Sequence, residues 1–388
     1  MRKHRQNWLD VFAGFRVALD ARKIVLGTLG VYVQIIVLLG LLSLAVRWWP
    51  GASMITANLI QRPVPTALSL LRATADRICP TQDPMTCAYS VPFGFKGLAF
   101  IAVGGILLLF IWSFFGGAIA RIAAVDFAKD ERPQIGEATA FAARKFGSFF
   151  WSPLVPLIFV LLFLICNMVL GLIGQIPGVG PIVMGLLFAL AALSAFLVVM
   201  LLIGAIFGFI FMWPTIAMEG TDAFDAISRA FNYLFVRPWK TLWCWFMAAV
   251  YGAAVTAFVA AFTFLMLRIA VGSVALGMGK DFIWIGQFLR DGYPAGGASV
   301  PTLIAMILIE VIVIMAWGLV MGFVASYKIT AATIIYSILR RDVDGTDMSE
   351  VYMPEPEEPA PAAGLETKPE LTPVEPQAEP PPEQKPAQ

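Results

Sequence analysis

Five long stretches of the chain, residues 24–46, 97–120, 150–173, 182–213 and 241–267, carry no charged side chain, and a sixth, 302–327, carries only Glu310. A helix rises about 1.5 Å per residue, so roughly 20 apolar residues cross a hydrocarbon layer about 30 Å thick. Each stretch meets that length. The pattern predicts an all-α, polytopic membrane protein with six transmembrane helices.

Polar and apolar positions also alternate with helical period just before three of the spans. Trp8, Val11, Phe12, Phe15 and Leu19 recur at spacings of three and four, as do Ala138, Phe141, Ala142 and Phe149, and then Phe224, Ile227, Phe231, Leu234 and Phe235. Such spacing lines one helix face. The opposite faces carry Asp10, Asp20 and Lys23, then Arg144 and Ser148, then Asp225, Ser228 and Arg229. These segments are expected to lie in the headgroup region as amphipathic elbow helices, the alternative being helices packed on one another outside the membrane.

Each elbow ends on a related tripeptide: Ala21-Arg22-Lys23, Ala143-Arg144-Lys145 and Val236-Arg237-Pro238. A shift that superimposes the last two also brings Asp126 onto Glu219, and Asp342 follows the sixth span in a similar place. Three parallel repeats result, residues 1–126, 127–219 and 220–342, each an amphipathic elbow helix plus a two-helix hairpin. Together they form a membrane domain over residues 1–346, with an outer loop at 47–96. Parallel repeats argue only mildly for transport, because rocking transporters are usually built on inverted ones.

Orientation follows from the basic residues. With both termini cytoplasmic, nineteen Lys and Arg fall on the inner side and eight on the outer, the bias expected of a bacterial inner-membrane protein. The charged, discontinuous N-terminal segment lacks the apolar core of a cleaved signal and is expected to be retained. Residues 347–388 form a disordered, Pro/Glu-rich cytoplasmic tail: from Pro354 onward there are 11 Pro and eight Glu, and too few large apolar side chains to make a core.

Composition narrows the chemistry. Hydrophobic residues make up 59% of the chain and charged ones 14%, while Lys+Arg and Asp+Glu nearly balance at 27 and 26, so no basic surface is available for nucleic acid. The chain lacks H-E-x-x-H, C-x-x-C and phosphate-loop patterns, and His4 is its one histidine. No cofactor, no metal site and no enzymatic activity are expected. The expected partners are membrane lipids, together with other membrane proteins reached through the tail.

Cys79 and Cys87 flank a short Pro-containing stretch of the outer loop and are expected to close a disulfide in an oxidising compartment, with two free thiols as the alternative. Asp126, Glu219, Asp222 and Asp225 are read as acidic residues that complement helix starts or cap amides. The glycine pairs Gly204/Gly208 and Gly318/Gly322 favour a close helix approach, within the molecule rather than between copies.

Glu310 is the main candidate for a polar site, since an ionisable group among Ile309, Val311 and Ile312 must face the bundle interior, find a partner or take a proton. Its expected partners are Asn167, Gln34 or a hydroxyl on a neighbouring helix, or Arg268 if it lies near the outer headgroups. A proton or cation relay and a lipid-headgroup anchor are the functional alternatives. The leading expectation for the whole chain is a non-enzymatic scaffold or regulator of membrane partners. The alternative is a translocator of a lipid or small amphiphile that uses Glu310.

Two segments carry a resemblance. Residues 218–231, Met-Glu-Gly-Thr-Asp-Ala-Phe-Asp-Ala-Ile-Ser-Arg-Ala-Phe, set between a span and Arg237-Pro238-Trp239, and residues 334–346, with Leu339-Arg340-Arg341-Asp342-Val343-Asp344-Gly345, resemble bacterial six-helix membrane proteins related to the membrane domain fused to some glycerophosphodiester phosphodiesterases. In that group a Glu-Gly pair precedes a helix with Ala and Ser, here Glu219, Gly220, Ala226 and Ser228. The resemblance implies topology over about residues 21–346. It implies no activity, because the phosphodiesterase domain is missing.

Overall fold

The structure, a computed structural model, describes residues 8–48, 95–278 and 299–353. Those residues are about 90% helical and contain no strand. The chain divides into Met1–Tyr352 and Met353–Gln388, and the elements named below lie in the first unit. A 3-10 turn (Trp8–Ala13) leads into α1 (Gly14–Ala18) and α2 (Ala21–Trp48). Then come α3 (Phe95–Lys129), α4 (Ile135–Arg144), α5 (Phe146–Ile173), α6 (Gly180–Glu219), α7 (Ala223–Val236), α8 (Pro238–Met278) and α9 (Val300–Asp344). The six long helices α2, α3, α5, α6, α8 and α9 are each long and apolar enough to cross a membrane, so the chain is a multi-pass helical membrane protein.

The helices outrun the apolar stretches that announced them. α9 continues about five turns past Tyr327, because Thr, Ala, Ile and Arg residues extend a helix until something stops it. What stops α3, α6 and α9 is a left-handed residue: Asp130 (φ 61°), Gly220 (φ 66°) and Gly345 (φ 72°). Each donates its amide to the carbonyl four residues back, on Asp126, Ile216 and Arg341 respectively, which closes the helix end. The connection between α5 and α6 is a tight turn around Gly178 (φ 83°), with Pro181 in the first turn of α6.

The core lies where α3, α6 and α9 converge. These three touch one another pairwise, α2 packs against both α3 and α9, α5 packs on α6, and α8 packs on α9. Continuous buried runs mark the meeting place: residues 116–128 of α3, 211–218 of α6 and 330–339 of α9. Small residues make the approach possible. A Cβ on Gly27 of α2 would sit 2.6 Å from the Gly322 carbonyl oxygen of α9, so these two backbones touch. Gly116 and Gly117 of α3 lie beneath the rings of Trp213 and Phe149, and Trp213 Nε1 donates to the Phe149 carbonyl at 3.0 Å.

Away from this end the apolar side chains of α5, α6 and α8 point outward, among them Leu186, Phe188, Phe258 and Phe262. Only 6% of the most apolar window of α6 or α8 is buried, against 22% in α3 and α9. Surfaces of this composition are suited to hydrocarbon as their solvent.

The three short segments before α2, α5 and α8 are helical; α4 buries the expected Ala138, Phe141 and Ala142, whereas the packed faces of the other two differ from those expected. On α7 the buried side is Ala223, Ala226, Ala230, Tyr233 and Leu234, whereas Phe224 and Phe235 are exposed. Alanines let α7 approach α6 closely, and Phe231 reaches over Gly204 and Gly208. That glycine pair therefore receives a ring, while the pair Gly318/Gly322 receives α2, with Gly318 under the Tyr32 ring. Asp10 and Lys23, placed by periodicity on a polar face, are buried.

Candidate functional site

Charge gathers where the core helices end. Glu219 is the last residue of α6, where the helix's unpaired carbonyls repel a carboxylate, so it needs cations nearby. Arg229 of α7 supplies one at 2.7 Å and Arg340 of α9 another at 3.1 Å, while the Tyr336 hydroxyl donates to Glu219 Oε1. The Glu219 side chain is only 7% exposed. Arg229 also holds Asp225 one turn earlier at 3.1 Å and lies 3.9 Å from Asp344. Burial works against its charge, but the Glu219 and Asp225 carboxylates outweigh that and hold its pKa above the usual arginine range. Tyr233 donates to Asp344; burial first, then the nearby Asp344 and Glu219 carboxylates, push its phenol well above the usual range. Lys240, in the first turn of α8, pairs with Asp342 near the end of α9.

A second cluster ties α2 to α3. Lys23 Nζ lies 2.9 Å from Asp126 Oδ2, with side chains 0% and 4% exposed. Arg22 donates to the carbonyls of Arg132 and Pro133 in the α3–α4 connection, and Asp20 accepts from the Arg22 amide at 3.0 Å. Arg121, buried in α3, donates to the Ala217 carbonyl of α6 at 2.9 Å and lies over the Phe141 ring, 4.5 Å from its centroid. Apart from the local Arg229–Asp225 and Arg22–Asp20 contacts, each of these joins two different elements. The arrangement is a clamp of paired charges.

After Gly345 the chain folds back across the clamp. The Tyr352 amide donates to the Met218 carbonyl at 2.7 Å, its ring covers Gly220, Arg340 Nη1 donates to the Glu350 carbonyl at 2.9 Å, and Met348 is buried. Between this strap and the ends of α3, α6 and α9 lies an open cleft of about 500 Å³ whose lining mixes Lys129, Arg229 and Arg340 with Glu219 and Glu350.

The residues expected from sequence fall elsewhere. Glu310 is exposed in the third turn of α9, far from the charged end of that helix. Asn167 Oδ1 accepts from Ser194 across the α5–α6 hairpin at 2.8 Å, and Gln34 Oε1 accepts from Trp112 Nε1 at 2.8 Å. Arg268 is exposed, 5.9 Å from the Phe264 ring centroid. Cys79 and Cys87 lie outside the described residues, as does most of the tail. Cys166 and Cys244 are free thiols. Asp222 caps α7 by accepting from the Asp225 amide at 2.9 Å, as expected. Asp126 and Glu219 are instead at helix ends, where they serve ion pairs. Among the described residues no three His, Cys, Asp or Glu side chains group as a metal site requires.

Sequence reading missed the clamp, although its acids had been noticed as a recurring position. The overlooked signal was their cationic counterparts: Lys23 and Lys240 each stand third in the first helix of a hairpin, 103 and 102 residues before Asp126 and Asp342.

No family model, no curated protein and no solved structure matches the chain.

Proposed function

We propose that this protein is a non-enzymatic scaffold or regulator of a bacterial inner membrane, with both termini cytoplasmic, whose rigid charged end holds the root of a disordered tail that recruits partners. The observation that carries the reading is the strap: residues 345–352 are pinned to α6 by the Tyr352–Met218 hydrogen bond and the Tyr352 ring on Gly220, so the chain passes into residues 353–388 from a fixed point. A tether works best when one end is immobile and the other is a long, Pro-rich, poorly collapsing segment. Removing residues 354–388 should leave the membrane domain folded and abolish recovery of crosslinked partner proteins. Identical partner sets from the full and shortened chains would overturn the tether.

The same proposal includes three parallel elbow-hairpin repeats. It is supported by the ion pairs Lys23–Asp126 and Lys240–Asp342, which join first helix to second in the outer two hairpins, and by the left-handed endings of α3, α6 and α9. In the middle unit Glu219 takes Arg229 and Arg340 instead. Kinship with the phosphodiesterase-linked six-helix proteins belongs here as well. It rests on Glu219-Gly220 forming the α6 ending, with Ala226 buried and Ser228 exposed on the helix that follows.

A second reading, passage of a lipid or small amphiphile, is favoured by the exposure of Glu310 on an apolar helix. Under it, Glu310→Gln lowers lipid flux in reconstituted vesicles and flattens its pH dependence. Unchanged flux for every lipid tried would remove Glu310 from any such path.

A further inference from the structure

The arginine that recurs where each short helix meets the following long one is spent differently in the three places. Arg22 is consumed by the Arg132 and Pro133 carbonyls, and Arg144 also has an interaction of its own. Arg237, at the corner between α7 and α8, is exposed, and its guanidinium has no partner among the described residues. Its backbone, by contrast, is fixed: the amide donates to the Tyr233 carbonyl at 3.2 Å, and its carbonyl accepts from both the Thr241 amide and hydroxyl. The neighbouring Lys240 is already neutralised by Asp342. Beside this held, unpaired cation stands Trp239, 83% exposed.

From that corner an apolar stripe descends α8. Trp239, Trp243, Phe246 and Val250 recur at spacings of four, three and four, which aligns them on one face, and all four are exposed. Eleven residues of helix cover about 16 Å, close to half of a hydrocarbon layer about 30 Å thick, and so to the depth one acyl chain occupies. A cation at the head of an apolar track one leaflet deep has the chemistry of an anionic phospholipid. Guanidinium meets a phosphodiester in a two-pronged hydrogen bond, and an amphipathic indole suits the boundary between headgroup and chain.

We infer that the α7–α8 corner binds an anionic phospholipid, with Arg237 on the phosphate and the Trp239–Trp243–Phe246–Val250 stripe along an acyl chain. The inference rests on the short helices lying at headgroup depth and is independent of the tail.

The test uses the full chain in nanodiscs of phosphatidylcholine with a rising fraction of phosphatidylglycerol, followed by thermal unfolding and by native mass spectrometry of retained lipid. Phosphatidylglycerol should stabilise the wild type. Arg237→Gln should need about fivefold more of it for half of the effect, the size of one exposed charge-assisted hydrogen bond. Trp243→Ala should shorten lipid retention, and Arg16→Gln, an exposed cation on α1 that lies 3.9 Å from Asp130, should match the wild type. Equal phosphatidylglycerol dependence in Arg237→Gln and wild type would overturn the site, as would the same stabilisation from inorganic phosphate in pure phosphatidylcholine. Loss of this effect while tail removal still releases partners would defeat the lipid site and leave the tether standing.

Discussion

Lys23 and Asp126 sit where neither charge survives alone. With both side chains essentially closed to solvent, removing one partner strands the other in a medium that solvates it poorly, which typically costs about 3–5 kcal/mol. Lys23→Ala should therefore lower the unfolding midpoint sharply. Replacing the pair together, as Lys23→Met with Asp126→Leu, should recover most of the loss, and thermal unfolding in one detergent measures both. Tyr233 gives a prediction in pH. Its phenol ionises above the usual range when folded and near 10 when unfolded, so the unfolded chain releases its proton first. The stabilisation is complete below about pH 10 and drains away as pH climbs toward the folded value. Tyr233→Phe should flatten that alkaline decline in a pH series of unfolding midpoints. At this scale the acids were legible in the sequence and their partners were not. Asp126 and Asp342 find lysines about a hundred residues away, and no local pattern encodes a register set by how two long helices pack.

The helices themselves were plain in the apolar runs, but their ends were hidden, because α3, α6 and α9 stop at backbone geometry and not at the first charge. Gly220 makes this testable. Its φ of +66° disfavours any side chain by roughly 1–2 kcal/mol, and a Cβ there would also collide with the Tyr352 ring. Gly220→Ala should lower stability by about that amount and speed protease cleavage between residues 345 and 353, followed by mass spectrometry. Gly322→Leu should be more damaging, since α2 backbone and Thr28 occupy the space; overpacking of this kind costs typically 1–3 kcal/mol and here separates two core helices. The glycine pairs were legible as places of close approach. That one receives a helix and the other a phenyl ring was not, because glycine spacing records room and not its occupant.

For the whole molecule, membrane class and span number followed directly from hydropathy, since twenty uncharged apolar residues have few soluble uses. The candidate polar site did not transfer in the same way. Glu310 drew notice for being a charge in an apolar helix, yet the polar side chains that gather do so at the opposite end of α9, where sequence alone shows ordinary helix-flanking charge. The contrast between the clamped end and the outward-facing halves of α5, α6 and α8 has one more consequence. Where protein supplies so few neighbours, acyl chains act as the missing packing material, and the fold is in part a property of the liquid around it. Hydrogen exchange should reveal two melting regimes when nanodiscs are traded for a short-chain detergent: early opening of those outer halves, with the amides of residues 116–128, 211–218 and 330–339 holding until the ionic stitches give way.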